Sequence, residues 1–125
     1  MSVSRNFMLI GSLYIILGVG IGIYMGGSGD RTLVPLHAHI NLLGFVLPMA
    51  FGLVYHLFPA AGESLQARAH FWLHQIGALV LLVMLWLLLS GKIAEAAMFP
   101  IAPLAELCIF IGLILFALNV YRHVR

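Results

Sequence analysis

Four long apolar runs occupy most of this 125-residue chain and leave little sequence between them. They cover approximately residues 7–25, 36–58, 67–90 and 104–121. Each run is long enough to cross a bilayer, because an α-helix of about 20 residues spans about 30 Å of hydrocarbon. Apolar residues make up 63% of the chain and charged residues 8%, which excludes an ordinary soluble globular domain. The sequence therefore predicts an all-α, integral membrane protein with a single transmembrane domain.

The linkers between the runs are short, which favours antiparallel neighbours and an up-down-up-down four-helix bundle. An even number of spans places both termini on one side of the membrane. The basic residues divide unequally, with Arg5, Arg68, Arg122 and Arg125 on the side of the termini and Arg31 and Lys92 on the other. By the positive-inside rule, we expect both termini in the cytoplasm. The bacterial inner (plasma) membrane is the location that the family resemblance given below implies.

Small residues and one proline predict close packing and a bend. Glycine recurs every fourth residue in the first run, at Gly18, Gly22 and Gly26. Such a face lets helices approach closely, within the chain or between copies. In the second run, Pro48 removes a backbone hydrogen bond and predicts a kink that would make room for a bulky group. A proline that a membrane helix merely tolerates is an equally good interpretation.

Five of the six histidines lie in or at the edges of the apolar runs: His37, His39, His56, His70 and His74. Ionisable side chains within membrane spans are costly and are usually functional. Neutral imidazole is the commonest metal ligand and suits iron, copper and zinc. The histidines therefore predict a heme or metal centre. By the expected topology, His37 and His39 lie near the outer face and the other three near the inner face.

The inner three histidines form one candidate site. His56 and His70 lie equally far from a turn near Glu63, so antiparallel helices bring them to similar depth. His70 and His74 are four residues apart and share a helix face. Together the three could ligate Cu or Zn, or two of them could ligate a heme. The alternative is that His56 and His70 reach the headgroup region and are solvated there.

The outer pair, His37 and His39, forms a second candidate site. Residues two apart on a regular helix point about 200° away from each other, so the pair cannot bind one ion together. We expect one of these histidines to be the heme or metal ligand. The other would lie at the membrane interface or contact the ligating side chain. Glu106, expected to be buried at the outer end of the fourth run, could accept the second N–H of the ligating imidazole. It could equally cap its helix or face the interface.

Two segments of the chain resemble a known family. The run RTLVPLHAHINLLGF, residues 31–45, and the run VYHLFP, residues 54–59, resemble helix II of the catalytic subunit of heme-copper oxidases. The resemblance is nearest to the nitric-oxide reductase and C-family oxidase branch. It extends less specifically to the glycine-rich first run and to AHFWLHQ, residues 69–75. It therefore covers most of this chain, which would correspond to the N-terminal four helices, or the first third, of such a subunit. The HAHINLLG run also resembles the histidine motifs of NnrS-like membrane heme proteins.

The resemblance implies a b-type heme near the outer face, ligated by His37 or His39. It also implies that Arg31 pairs with the heme propionates as a bidentate donor. The family's remaining heme ligands and its metal-binding histidines lie on helices that this sequence lacks. We therefore do not expect one chain to assemble an oxidase or reductase active site.

These observations predict a small b-type cytochrome-like protein that forms a homodimer among membrane lipids. It would carry electrons to a respiratory redox partner, or bind or sense a diatomic gas such as NO or O2. One alternative is a protein that binds Cu or Zn without heme. Another is a structural accessory subunit of a respiratory complex. No basic surface suggests a nucleic-acid partner, since the net charge of +2 comes from helix flanks.

Overall fold

The computed structural model describes residues 1–124 as helices joined by short linkers. In chain order these are α1 (Val3–Ser28), α2 (Val34–His39), a π-helical segment (Ile40–Val46), α3 (Leu47–Leu57), α4 (Pro59–Gly62), α5 (Leu65–Leu89), a 3-10 turn (Glu95–Met98) and α6 (Ile101–His123). The segments from α2 to α3 are continuous and form one long helix, Val34–Leu57. The prediction of an all-α chain is confirmed. The four long helices suggest a multi-pass membrane protein.

Each long helix coincides with a predicted apolar run but most extend beyond it. The first helix begins four residues early because Ser2 caps it, its hydroxyl accepting from the Arg5 N–H at 3.3 Å. The third begins at Leu65 because Ser64 accepts from the Ala67 N–H at 3.0 Å. At its other end, α1 stops where Gly29 takes the left-handed conformation, with φ of 73°. Capping by small polar residues therefore sets bounds that hydropathy alone does not reveal.

The closest packing joins sequential helices. The first helix, α1, packs along the second long helix, and α5 packs along α6. An aromatic cluster lies between these two pairs, built on Phe7, Phe51, Tyr55 and Phe71, all of them buried. The two pairs therefore meet through aromatic side chains.

The glycine face of α1 packs against the second helix of the same chain. A methyl group added at Gly18 would collide with the Asn41 side-chain oxygen, and one added at Gly22 would lie 3.0 Å from His37 Cε1. Gly26 has no such neighbour within 4 Å. The predicted helix packing is confirmed within the chain at Gly18 and Gly22, so those two positions do not offer a surface to a second copy.

Pro48 follows the π-helical segment directly. The Leu47 N–H bonds to the Leu42 carbonyl, five residues back, and Pro48 itself has no N–H to donate. The prediction that a bend here makes room for a bulky group is wrong. A methyl group at Gly44 would lie 2.6 Å from the Tyr14 ring, and one at Gly52 2.6 Å from Met8. The side chains of α1 already fill the space beside both glycines.

Candidate functional site

His37 is engaged within the chain through both ring nitrogens. Its Nδ1 lies 2.8 Å from the Gly18 carbonyl oxygen, which can only accept, so Nδ1 carries the hydrogen and donates. The Nε2 lone pair then accepts from the Asn41 side-chain amide at 3.3 Å. The imidazole is half-buried against α1. His37 therefore holds the first two long helices together and has no ring nitrogen left for a metal.

His39 is engaged through one ring nitrogen only. Its Nδ1 lies 2.7 Å from the Pro35 carbonyl oxygen of its own helix, so Nδ1 is the donor. Nε2 is left as a lone pair on an exposed side chain. Metal-ligating histidines almost always donate their second N–H to a carboxylate, a backbone carbonyl or water, which fixes the ring and its tautomer. The His39 ring is therefore oriented by one hydrogen bond and keeps Nε2 for a metal, whereas both nitrogens of His37 are already hydrogen-bonded.

An apolar groove runs beside His39 at the surface of the described chain. Its volume is about 270 Å³. The groove is lined by His39, Leu42, Leu43, Leu81, Glu106, Ile109, Phe110 and Leu113. It is therefore built by three of the long helices and carries one imidazole and one carboxylate.

The prediction that Glu106 is buried is wrong, because its side chain is exposed. The fourth long helix buries a stripe that includes Ala102, Ala105, Ile109 and Gly112, and Glu106 lies just outside that stripe. The structure brings Glu106 and His39 to one groove, as the sequence suggested. The His39 N–H is nevertheless held by Pro35 and not by the carboxylate. Arg31, the predicted propionate partner, is exposed in the linker before the second helix.

His70 and His74 lie together in the interior, each with 0% of its surface exposed. Their ring centres are 6.1 Å apart. Aromatic rings surround them: Phe51 lies 4.5 Å from His70 and 5.3 Å from His74, and Phe7 lies 5.1 and 6.0 Å from them, centre to centre. Phe116 adds a further ring 5.3 Å from His70. Two imidazoles thus occupy the centre of the aromatic cluster.

The hydrogen bond of His74 follows from Pro48. In a π-helix each carbonyl accepts from the N–H five residues later, and for Leu43 that residue is Pro48, which has no N–H. The Leu47 N–H, which would reach Leu43 in an α-helix, bonds to the Leu42 carbonyl instead. His74 Nε2 lies 2.9 Å from the Leu43 carbonyl oxygen and must donate to it. A polar side chain of a neighbouring helix thus satisfies the carbonyl, as is typical of prolines in membrane helices. His74 Nδ1 is therefore a buried lone pair with no partner among the described residues.

His70 is held in a similar way by Tyr55. The Tyr55 hydroxyl lies 2.9 Å from His70 Nδ1, inside the chain. His70 Nε2 is buried and has no hydrogen-bond partner among residues 1–124. Each such group costs about 1–3 kcal/mol when it is left without a partner. The interior therefore contains two oriented imidazoles, and one ring nitrogen of each makes no hydrogen bond to the described residues.

His56 does not join this pair. Its side chain is exposed, whereas Tyr55, the residue before it, is buried against His70. Among the described residues, no three His, Cys, Asp or Glu side chains are grouped so that they could hold one metal ion. The interpretation of His70 as a solvated headgroup residue is wrong, because His70 is fully buried. For His56 that interpretation agrees with its exposure.

Sequence reasoning missed the polar residues that orient the histidines, namely Tyr55 and Asn41. Asn41 stands four residues after His37, a helical spacing that could have identified it. Tyr55 is distant in sequence from its partner His70, and only the packing of two helices brings them together.

Protein-family models, curated proteins and solved structures were compared with this chain, and none of them matches it. These comparisons therefore do not link the chain to heme-copper oxidases or to NnrS-like proteins, and the resemblance stays an expectation from the sequence.

Proposed function

We propose that the chain is an up-down-up-down four-helix bundle in a bacterial inner membrane, with both termini in the cytoplasm. Its outward surface supports insertion, because many large apolar side chains are exposed, including Leu13, Ile16, Ile23 and Phe110. An apolar surface of this size promotes aggregation in water, whereas in a membrane it contacts the lipid chains. Near the end of α5, Lys92 Nζ lies 5.5 Å from the Trp86 ring centre. Tryptophan and lysine in such positions commonly anchor a helix at the membrane interface.

We propose further that the protein binds a b-type heme through His39 Nε2. The observation that carries this proposal is the difference between neighbouring histidines. His37 uses both ring nitrogens inside the chain, whereas His39 has Nδ1 fixed by Pro35 and Nε2 left for a ligand. A nitrogen oriented in this way on an exposed side chain is available to a ligand from outside the chain.

The residues of the groove fit a porphyrin in chemical character. Its lining is mainly leucine, isoleucine and phenylalanine, which suits a flat apolar ring system. Arg31, exposed in the linker before the second helix, is the residue we assign to the propionates. A bound heme supplies one-electron chemistry, and the chain supplies the ligand, the apolar surface and the charge that set its behaviour.

We propose that a bound heme would be held by His39 of two copies of the chain. The groove is open at the chain surface and carries a single imidazole, so one chain contributes one ligand. A two-fold dimer, the commonest closed assembly, would place two such grooves face to face. Bis-histidine heme has no open coordination position, which favours electron transfer with a respiratory partner over binding of NO or O2.

Paired alanine variants test the assignment of the ligand. His39→Ala should lose at least nine-tenths of the heme that copurifies with the wild-type protein, because it removes the iron ligand. His37→Ala is the matched control two residues away and should keep heme, although it loses helix contacts. The measurement is heme per chain, with gel filtration confirming the fold of each variant. Full heme retention in His39→Ala would contradict the proposal.

A further inference from the structure

We propose that His70 and His74 form a second site, which binds one monovalent copper ion, Cu(I), in two-coordinate geometry inside the bundle. The site lies in the aromatic cluster between the two helix pairs. It is separate from the groove of His39, so the inference does not rest on heme binding.

The first support for this site is that both imidazoles are prepared for a ligand. His74 donates from Nε2 to the Leu43 carbonyl, which fixes its tautomer and leaves Nδ1 as a lone pair. Tyr55 holds His70 at Nδ1, so Nε2 is the nitrogen that remains. Both remaining nitrogens are buried on side chains with 0% exposure and have no partner among the described residues. Ligating histidines are oriented in the same way, by a hydrogen bond on the other ring nitrogen.

The second support is the distance between the rings. Their centres are 6.1 Å apart. If the two remaining nitrogens face each other, an ion midway lies about 3 Å from each centre, which matches a metal–nitrogen bond of roughly 2.0 Å plus the radius of an imidazole ring. When the Tyr55 hydroxyl accepts the His70 Nδ1–H, Nε2 also becomes a lone pair. Both rings can then ligate one ion as neutral donors.

The ligand set selects the ion. Structural zinc takes four protein ligands, and calcium takes six to eight oxygens. The described residues offer no group of three candidate ligands here. Cu(I) is stable with two nitrogen donors in a line, and imidazole is a suitable copper ligand. A single positive charge is also less costly than a double charge in these apolar surroundings, where Phe7, Phe51 and Phe116 lie 4.5 to 5.3 Å from His70, centre to centre.

Anaerobic titration with Cu(I) tests the site. Detergent-purified protein is dialysed against Cu(I) buffered by a competing chelator, and copper per chain is measured. We expect about one equivalent in the wild-type protein and an X-ray absorption spectrum with two nitrogen neighbours. His74→Gln keeps a side-chain amide that can donate to Leu43 but removes the imidazole, so it should reduce copper at least tenfold. His70→Gln should do the same.

Two controls separate this site from the others. His56→Ala changes an exposed histidine near the same end of the bundle and should keep the full equivalent. His39→Ala should also keep copper, whatever happens to heme. The proposal is overturned if the wild-type protein takes up no Cu(I), or if folded His70→Gln and His74→Gln retain it. Loss of copper in His56→Ala would also overturn it.

Discussion

His37 and His39 have different chemical roles although they are separated by a single alanine. The helix turns about 200° between them, so one ring faces α1 and the other faces outward. Gly22 leaves space for the inward ring, and the Gly18 carbonyl accepts its N–H. His39 thus keeps a free Nε2 because the helix turns its ring away from α1 and because its Nδ1 donates to the Pro35 carbonyl. His37, in contrast, faces α1 and donates to the Gly18 carbonyl.

Gly18→Ala should destabilise the protein, because the added methyl group would collide with the Asn41 side chain. Overpacking of this kind costs about 1–3 kcal/mol. Gly20→Ala is the matched control on the same helix, since nothing lies within 4 Å of its added methyl group. The control should be neutral or slightly stabilising. Thermal unfolding in detergent measures both variants, and equal stabilities would contradict the packing described here.

Asp30 provides a pH prediction in the linker after α1. Hydrogen bonds from the Thr32 hydroxyl and backbone N–H, with a smaller contribution from Tyr24, hold the pKa of Asp30 below its usual value. A lowered pKa in the folded state means that the stabilisation is present above the unfolded pKa and is lost as pH falls through the folded pKa.

Thr32→Val removes the first of these donors, so we expect the pKa of Asp30 to rise toward its ordinary value. Tyr24→Phe removes the weakest donor and should raise it less. Titration of the Asp30 carboxyl carbon by NMR measures both shifts. A larger shift in Tyr24→Phe than in Thr32→Val would contradict this order of contributions.

The second long helix shows how one proline determines a contact between elements. Pro48 follows a π-helical segment, the Leu43 carbonyl is left without a backbone donor, and His74 of α5 satisfies it at 2.9 Å. This bond joins the first helix pair to the second. The buried position of His74 therefore depends on a backbone irregularity in another helix.

A double-mutant cycle tests this dependence. His74→Leu should cost about 1–3 kcal/mol, because it leaves the Leu43 carbonyl without a donor. Pro48→Ala returns an N–H to the helix and allows a backbone donor to reach that carbonyl. The cost of His74→Leu should therefore be smaller in the Pro48→Ala background, as measured by thermal unfolding. Equal costs in the two backgrounds would show that the proline and the histidine act independently.

The number and approximate positions of the long helices could be predicted from the sequence, because apolar length is a strong signal. The helix ends could not, since they depend on caps such as Ser2 and Ser64. Of the candidate site, the sequence correctly grouped His70 with His74 by their spacing. It could not separate His56 from them, because the rotation of the second helix decides that Tyr55 faces inward and His56 outward. The exposure of Glu106 likewise depends on which face α6 turns toward α5.

At the scale of the whole molecule, the proposed topology predicts which loops are accessible from each side. Glu63 and Glu95 are both exposed and lie in linkers that the topology assigns to opposite faces. In a Cys108→Ala background, which removes the native cysteine, a membrane-impermeant maleimide should label Glu95→Cys in intact cells. It should label Glu63→Cys only after the cells are opened. Labelling of both from outside would contradict the assigned orientation.

The assembly proposed here depends on a cofactor shared by two chains. One groove offers one imidazole, so a six-coordinate heme requires a second copy, and the fold alone does not complete the site. The copper site proposed between the helix pairs lies within a single chain. When the protein is diluted until it is monomeric, we therefore expect it to lose heme and to keep copper.

The most direct test of the central claim, that His39 of two copies ligates a b-type heme, is an absorption spectrum of the detergent-purified protein expressed with ample heme. Spectra are recorded in air, after dithionite, and after carbon monoxide. The account predicts a Soret band and sharp reduced α and β bands that carbon monoxide does not change, as six-coordinate heme requires. A shift with carbon monoxide would contradict ligation by two histidines. A featureless spectrum would contradict heme binding itself.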